Sequence, residues 1–221
     1  EGKTTLLSQL SLDLCLQGCR TLWGSFEVQN AKLVAKMMQQ QQRQSLRGCS
    51  PDEFDAAADE FAQLPMWFLK YFGSTKVEHV LDAMEYAAHA HDVQHVVLDN
   101  LQFMTFGMGG DDKFAMIDTC LAKVRQFATD HNVHVSLVMH PRKEEPGKEI
   151  HMGSVYGSGK ATQDSDNVII IQHVGKLRYL DIQKNRFDGT RGKVPFVFDS
   201  HTLRYSEISA EEADDLLAQD E

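Results

Sequence analysis

Gly2-Lys3-Thr4 leads straight into Thr5-Leu6-Leu7-Ser8-Gln9-Leu10 near the start of the chain. A Lys between a glycine and a hydroxyl residue at a helix N-terminus is the tail of the phosphate-binding pattern G-x-x-x-x-G-K-[ST]. Backbone N–H groups and the Lys ammonium there suit the β- and γ-phosphates of a nucleotide, and the Thr hydroxyl suits Mg²⁺. Three residues recur by chance, so the weight falls on the rest of the chain. Leu6, Leu7, Leu10 and Leu14 form an apolar stripe at helical spacing, stopped by Gly18. Farther along, polar residues stand just past apolar strands: Glu27 after Thr21 to Phe26, Asp99 after Val96-Val97-Leu98, and His140 after Val135 to Met139. Ligands of parallel α/β sheets bind outside the carboxyl ends of the strands, so these positions are expected to face one site. The first glycine of the pattern and the strand that feeds it are expected upstream of Glu1, with any targeting segment. The fold expectation is therefore an α/β P-loop NTPase core that lacks its first strand and most of that loop.

Helix and strand signals alternate, which predicts a mostly parallel sheet flanked by helices. Ala31 to Gln42 reads as a helix. Ser50-Pro51-Asp52-Glu53 supplies an N-cap, Pro at N1 and Glu at N3, opening a helix that runs to about Leu64. Met66 to Phe72 is a strand candidate, and Thr75 to Ala90 a helix. Gly107 to Asp112 reads as a flexible loop. Phe114 to Asp130 reads as a helix with Ile117, Leu121, Val124 and Phe127 on one face. Val133 to Met139 reads as a buried strand, and Pro141 to Gly159 as a long polar loop of the kind that carries function. Three short strands come next, Val168 to Gln172, Leu177 to Gln183 and Val194 to Phe198. Ser209 to Ala218 is an acidic helix or a disordered tail, which divides the chain into a core over 1–205 and a tail over 206–221.

At 221 residues one domain with a substantial core is expected. No apolar run is long enough for a membrane-spanning helix. The formal charge of −10 argues against general adhesion to nucleic acid, yet it is unevenly placed. Glu207, Glu211, Glu212, Asp214, Asp215, Asp220 and Glu221 crowd the end without a Lys or Arg. His140 to Lys193 carries ten Lys or Arg against seven Asp or Glu, so that interior segment attracts polyanions. Cys15 and Cys19, four apart on an expected helix, read as buried or spare thiols rather than metal ligands, which implies a reducing compartment.

Chemistry comes from these placements. Asp99 is read as the carboxylate that orients a phosphate-bound metal, against the plainer reading of a strand-end cap. Glu27 is placed to polarise a water that attacks the γ-phosphate, which is general-base work. His140 is placed to sense that phosphate. The remaining histidines show no metal-ligand spacing and read as surface or core side chains. Arg142, Lys143 and Lys148 lie on the long loop, where basic side chains suit the backbone of a single nucleic-acid strand; the plainer reading is a solvated loop balanced by Glu144, Glu145 and Glu149. Lys184 and Arg186 flank Asn185 on a late strand and point to one face. Remote in sequence from Gly2-Lys3-Thr4, they suit delivery to a neighbour's γ-phosphate in the manner of an arginine finger.

Taken together, Leu22 to Glu27, Asp99-Asn100-Leu101-Gln102-Phe103-Met104, His140-Pro141-Arg142-Lys143 and Lys184 to Gly189 resemble the DnaB-like hexameric helicases. They also resemble the helicase half of bacteriophage primase-helicases, a group that includes the mitochondrial replicative DNA helicases. The resemblance runs from Gly2 to about Tyr205. It implies a RecA-like core, ATP and Mg²⁺ between subunits, a ring of six or seven copies, and single-stranded DNA in its centre. It further implies 5′ to 3′ translocation, unwinding of forked DNA, polymerase and single-strand-binding protein as fork partners, and a place in the nucleoid of the mitochondrial matrix. By this resemblance Gly2, Lys3 and Thr4 hold nucleotide, Thr4 and Asp99 the metal, and Glu27 is the base. His140 is the sensor, and Lys184 and Arg186 act in trans. Lys160, after Gly157-Ser158-Gly159, falls near the DNA. The segment before Asn167 lacks the Arg that phage relatives carry, so none of it is assigned to nucleotide. Two other readings remain open at this point: a strand-exchange ATPase of the recombinase class, and a binding module without turnover.

Overall fold

The computed structural model describes residues 2–102, 111–142, 149–155, 159–174 and 177–218. The first part of the chain is a parallel sheet wrapped by helices. Its elements are α1 (Lys3–Leu16), β1 (Thr21–Ser25), α2 (Asn30–Gln42), α3 (Pro51–Ala62), β2 (Met66–Phe68), α4 (Val77–His91), β3 (His95–Asp99), α5 (Asp111–Asp130) and β4 (His134–Leu137). The strands are ordered β2-β1-β3-β4 and all pair in parallel.

Successive side chains of a strand face opposite sides, so a strand covered on both faces needs apolar residues throughout. Leu22, Val96 and Leu98 face α4 and α5, meeting Val77, Val80, Met84, Ile117, Leu121, Val124 and Phe127. Trp23 and Val97 face the other way, onto Leu12 of α1, Leu33 and Met37 of α2, and Ala57 and Phe61 of α3. Both central strands are buried along their whole length.

Several local expectations meet the structure directly. Ser50 caps α3 with a reciprocal capping box to Glu53, with Pro51 next in the chain. The face Ile117, Leu121, Val124, Phe127 of α5 is the buried one. Others need correction. In α1 the buried residues are Ser8, Ser11, Leu12 and Cys15, while Leu10 is 43% exposed, so the leucine stripe is not the core face. The reason is a polar contact inside the core: Trp23 Nε1 donates to Ser11 Oγ at 2.9 Å, which lets serines occupy helical core positions. Cys19 lies past the end of α1 rather than on it. β2 stops at Phe68. β4 is half-exposed because, among the described residues, it forms one edge of the sheet. α5 opens at Asp111, three residues before the expected Phe114.

The second part departs further from the expected parallel sheet. After α6 (Lys160–Asp164), four strands form a separate antiparallel sheet in the order β5-β6-β7-β8: β5 (Asn167–Val174), β6 (Leu177–Asn185), β7 (Gly192–Asp199) and β8 (Arg204–Glu207). The chain then enters α7 (Ala210–Ala218), a helix with Ala213 buried. The first part is thus an α/β core with its parallel sheet flanked by helices, as expected. No helix among the described residues is long and apolar enough to cross a membrane.

Candidate functional site: a phosphate and metal cradle at the strand ends

The site is assembled from the start of α1 and the carboxyl ends of β1, β3 and β4. Gly2 is the N-cap of α1 with φ +96°, and no side chain caps the helix there. An L side chain is strained at that φ, and a Cβ on Gly2 would also collide with the Tyr205 hydroxyl. That hydroxyl donates to the Gly2 carbonyl at 3.3 Å. The uncapped first turn of a long helix presents N–H groups and the positive end of the macrodipole, a favourable place for phosphate.

β8 braces this turn from outside. Gln9 Nε2 donates to the Tyr205 carbonyl at 3.0 Å, and Tyr205 N donates back to Gln9 Oε1 at 2.7 Å. Gln40 of α2 donates from Nε2 to the Thr5 carbonyl at 3.0 Å and to the Leu203 carbonyl at 2.7 Å. The antiparallel sheet is thereby keyed to the first turns of α1.

Two backbone links set the strand ends side by side. Phe26 N donates to the Asp99 carbonyl at 2.8 Å, which brings Glu27 next to Asp99 and Asn100. Val138 N donates to the Leu98 carbonyl at 2.9 Å and Leu101 N to the Val138 carbonyl at 3.2 Å, which brings His140 to the same place. Thr4 Oγ1 donates to Asp99 Oδ2 at 2.5 Å. Asn100 Nδ2 donates to Glu27 Oε2 at 2.7 Å and lies 3.4 Å from His140 Nε2. His140 Nε2 is 3.7 Å from Glu27 Oε2. Lys3, Thr4, Glu27, Asp99 and His140 thus converge from four separate stretches of chain.

Asp99 is almost fully buried. Burial pushes its carboxyl above the usual range, and Glu27 adds to this. The Thr4 hydroxyl, Lys3 and His140 work the other way. A buried carboxylate short of positive charge beside a hydroxyl is a fitting donor set for a hard divalent cation, which takes oxygen ligands. The residues present therefore fit both Mg²⁺ and a nucleoside triphosphate.

Two neighbours escape sequence reading. Asn100 stands out in the sequence only as part of the run after Asp99. Lys36 of α2 donates from Nζ to Thr5 Oγ1 at 3.2 Å. Burial lowers its pKa while the charge of Asp99 raises it, which places it within the field of the site. Nothing in the periodicity of α2 separates Lys36 from Lys32 on the same helix.

The remaining expected residues lie elsewhere. Lys184 Nζ donates to the carbonyls of Thr162 at 2.7 Å and Gln163 at 2.8 Å. Arg186 bonds Asp166 Oδ1 at 2.8 Å and the Gln163 carbonyl at 2.9 Å. Both cations close the C-terminal end of α6, and Lys160 opens its first turn after Gly159. Arg142 N donates to the Ser154 carbonyl at 2.6 Å. Lys143, Lys148, Gly157, Ser158, Phe103 and Met104, and the expected loop from Gly107 to Gly110, lie outside the described residues. Among the described residues Glu85, His89 and His131 come within 4.8 Å of one another, a grouping that linear spacing does not show. Glu85 and His89 of this grouping are exposed.

Comparison with known proteins places the chain by family and by fold. A family model described as an AAA domain matches residues 1–146. The DNA helicase/primase of Enterobacteria phage T3 is 23% identical over 214 residues, covering 86% of this chain and 38% of that protein. The chain thus spans well under half the length of that relative. Among solved structures, an isolated ATPase domain superposes with a TM-score of 0.82 at 15% identity, over 94% of this chain and 81% of that one. A DnaB-like replicative helicase, described with its interactions with primase, superposes with a TM-score of 0.79 at 15% identity, over 94% of this chain and 55% of that one. With its family model covering well over half of the residues and its cradle built at the strand ends of a RecA-like core, this chain belongs to the AAA domain family.

Proposed function

We propose that this chain is the ATP-hydrolysing motor of a replicative DNA helicase. It binds ATP and Mg²⁺, works as a homo-hexamer or heptamer, moves 5′ to 3′ on single-stranded DNA and unwinds forked duplexes. The finer reading is a mitochondrial replicative helicase of the Twinkle type, acting in the matrix nucleoid with a polymerase and a single-strand-binding protein. The observation that carries the proposal is the meeting of Lys3, Thr4, Glu27, Asp99 and His140 at the carboxyl ends of the strands, with Thr4 hydrogen-bonded to Asp99. The resemblance of the Lys184-to-Gly189 and His140-to-Lys143 runs to replicative helicases supports it.

In this reading Lys3 and the first-turn N–H groups of α1 hold the β- and γ-phosphates, and Thr4 and Asp99 hold the metal. When bound, Mg²⁺ neutralises charge on the phosphoryl oxygens. Glu27 takes the proton of the attacking water, and His140 reports the state of the γ-phosphate to the loop that comes after it. Arg142, Lys143, Lys148 and Lys160 contact the DNA backbone. Lys184 and Arg186 serve the site of the adjacent subunit.

A forked-duplex unwinding assay with the intact protein tests this reading. Strand displacement that needs ATP, Mg²⁺ and a 5′ single-stranded tail is the expected result. Homologous pairing without displacement would replace the helicase with a strand-exchange ATPase, and absence of DNA-stimulated hydrolysis would leave a binding module.

A further inference from the structure

Asn100 is completely buried, and a buried amide is costly unless its polar groups are paired. Most buried side-chain amides bond to backbone, yet this one is turned toward two ionisable side chains from other strands. Its Nδ2 donates to Glu27 Oε2 at 2.7 Å and lies 3.4 Å from His140 Nε2, while its Oδ1 has no hydrogen-bond partner among the described residues. Glu27 is about half exposed, and His140 Nε2 lies 3.7 Å from its Oε2. Without the amide, the Glu27 side chain has three rotors and open solvent to explore.

The surroundings fix the amide firmly. Asn100 comes directly after Asp99, the Asp99 carbonyl is tied to Phe26 N, and Leu101 N is tied to the Val138 carbonyl. β1, β3 and β4 thus meet around it. An amide N–H approaches His140 Nε2 favourably when that nitrogen carries no proton, because only then does it accept. The same group therefore lies against His140 and restrains the carboxylate of Glu27.

We infer that Asn100 is a positioning residue for hydrolysis, holding the Glu27 carboxylate in its working orientation and linking it to His140 so that base and sensor move as one unit. This rests on the reading of Glu27 as general base. Its physical basis is preorganisation: a base fixed before the nucleotide arrives gives up no rotor freedom in the reaction step, and a misplacement of about 1 Å costs about 10²-fold in rate.

The test uses Asn100→Leu, which nearly keeps shape and volume but has no group to donate to Glu27. In the intact protein its kcat for DNA-stimulated ATP hydrolysis should fall about 10²-fold. KM for ATP and the Kd of a fluorescent ATP analogue should stay within about 2-fold, since no phosphate contact is lost. Asn100→Ser, polar and too short to span to Glu27, should show the same split, and it serves if the leucine prevents folding. Combined with Glu27→Gln, either substitution should lower kcat by less than about 2-fold more, because it then acts on a base that is already absent. Native kcat in Asn100→Ser, a loss confined to KM, or full additivity with Glu27→Gln would each overturn the inference while leaving the base assignment standing. Near-normal turnover in Glu27→Gln itself would remove the base assignment and this inference with it.

Discussion

Asp99 carries two conflicting demands. It is nearly fully buried and its pKa is raised, chiefly by burial, so folding favours its protonated form and its ionisation weakens the fold. That contribution is present below the unfolded pKa and is lost as pH rises through the folded one. At neutral pH the carboxylate is therefore held at a cost in stability that a bound cation would offset. Asp99→Asn keeps an acceptor for the Thr4 hydroxyl and removes the charge. We expect it to raise the Tm of the nucleotide-free protein at neutral pH, with a smaller gain toward acid pH, where the native carboxyl takes up its proton. Mg²⁺-dependent hydrolysis should fall on the order of 10²-fold or more, since the metal supplies several kcal/mol of charge stabilisation. A variant with lower Tm at neutral pH would show that the ionised carboxylate is well compensated by Lys3 and His140. Residues such as Asp99, Glu27 and His140 are legible in sequence because a strand end is a recognisable place for chemistry. Asn100 and Lys36 are not, because their roles depend on which strands and helices lie side by side.

Elements are legible where the local signal and the packing coincide. α3 announces itself through its capping box, and β1 and β3 through continuous apolar runs that suit a sheet covered on both faces. α1 misleads because Ser11 is buried to accept from Trp23, a contact that no periodicity contains. β8 is hidden because Arg204-Tyr205-Ser206-Glu207 alternates only weakly and owes its place to pairing with β7. β3 also carries a testable pH response. His95 is buried with Nε2 3.0 Å from Ser136 Oγ, and burial, helped by His134, lowers its pKa to about 4 from 6.5. A histidine with a depressed folded pKa contributes stability that is complete above 6.5 and lost as pH falls toward about 4. Between about pH 7.5 and about pH 5 this should cost about 2 kcal/mol. Urea unfolding at both pH values should show His95→Gln losing about 2 kcal/mol less than the native protein. Equal losses would place the acid sensitivity elsewhere.

At the scale of the whole molecule, the cations of the antiparallel sheet stand apart from the cradle. Arg186 bonds Asp166 and the Gln163 carbonyl, and Lys184 caps the same helix end, so neither is engaged with Lys3 or Thr4. The Arg186–Asp166 pair is about half exposed, with side-chain exposures of 47% and 59%. Exposed pairs of this kind contribute roughly 0–1 kcal/mol, so the guanidinium can leave Asp166 for a phosphate at small cost. In the proposed ring it serves the neighbouring site, where a finger of this type stabilises transition-state charge by about 10³- to 10⁵-fold. Arg186→Ala should then abolish DNA-stimulated hydrolysis while leaving nucleotide binding and Tm nearly unchanged. Asp99→Asn should be inactive for the opposite reason, a defect on the receiving side of the interface. Mixing the two inactive proteins should restore part of the activity, because some interfaces then combine an intact Asp99 with an intact Arg186. Mixed assemblies shown to exchange subunits, yet as inactive as either parent, would count against delivery in trans. Full turnover by an isolated monomer would sink it, and would assign the release of Arg186 from Asp166 to its own site.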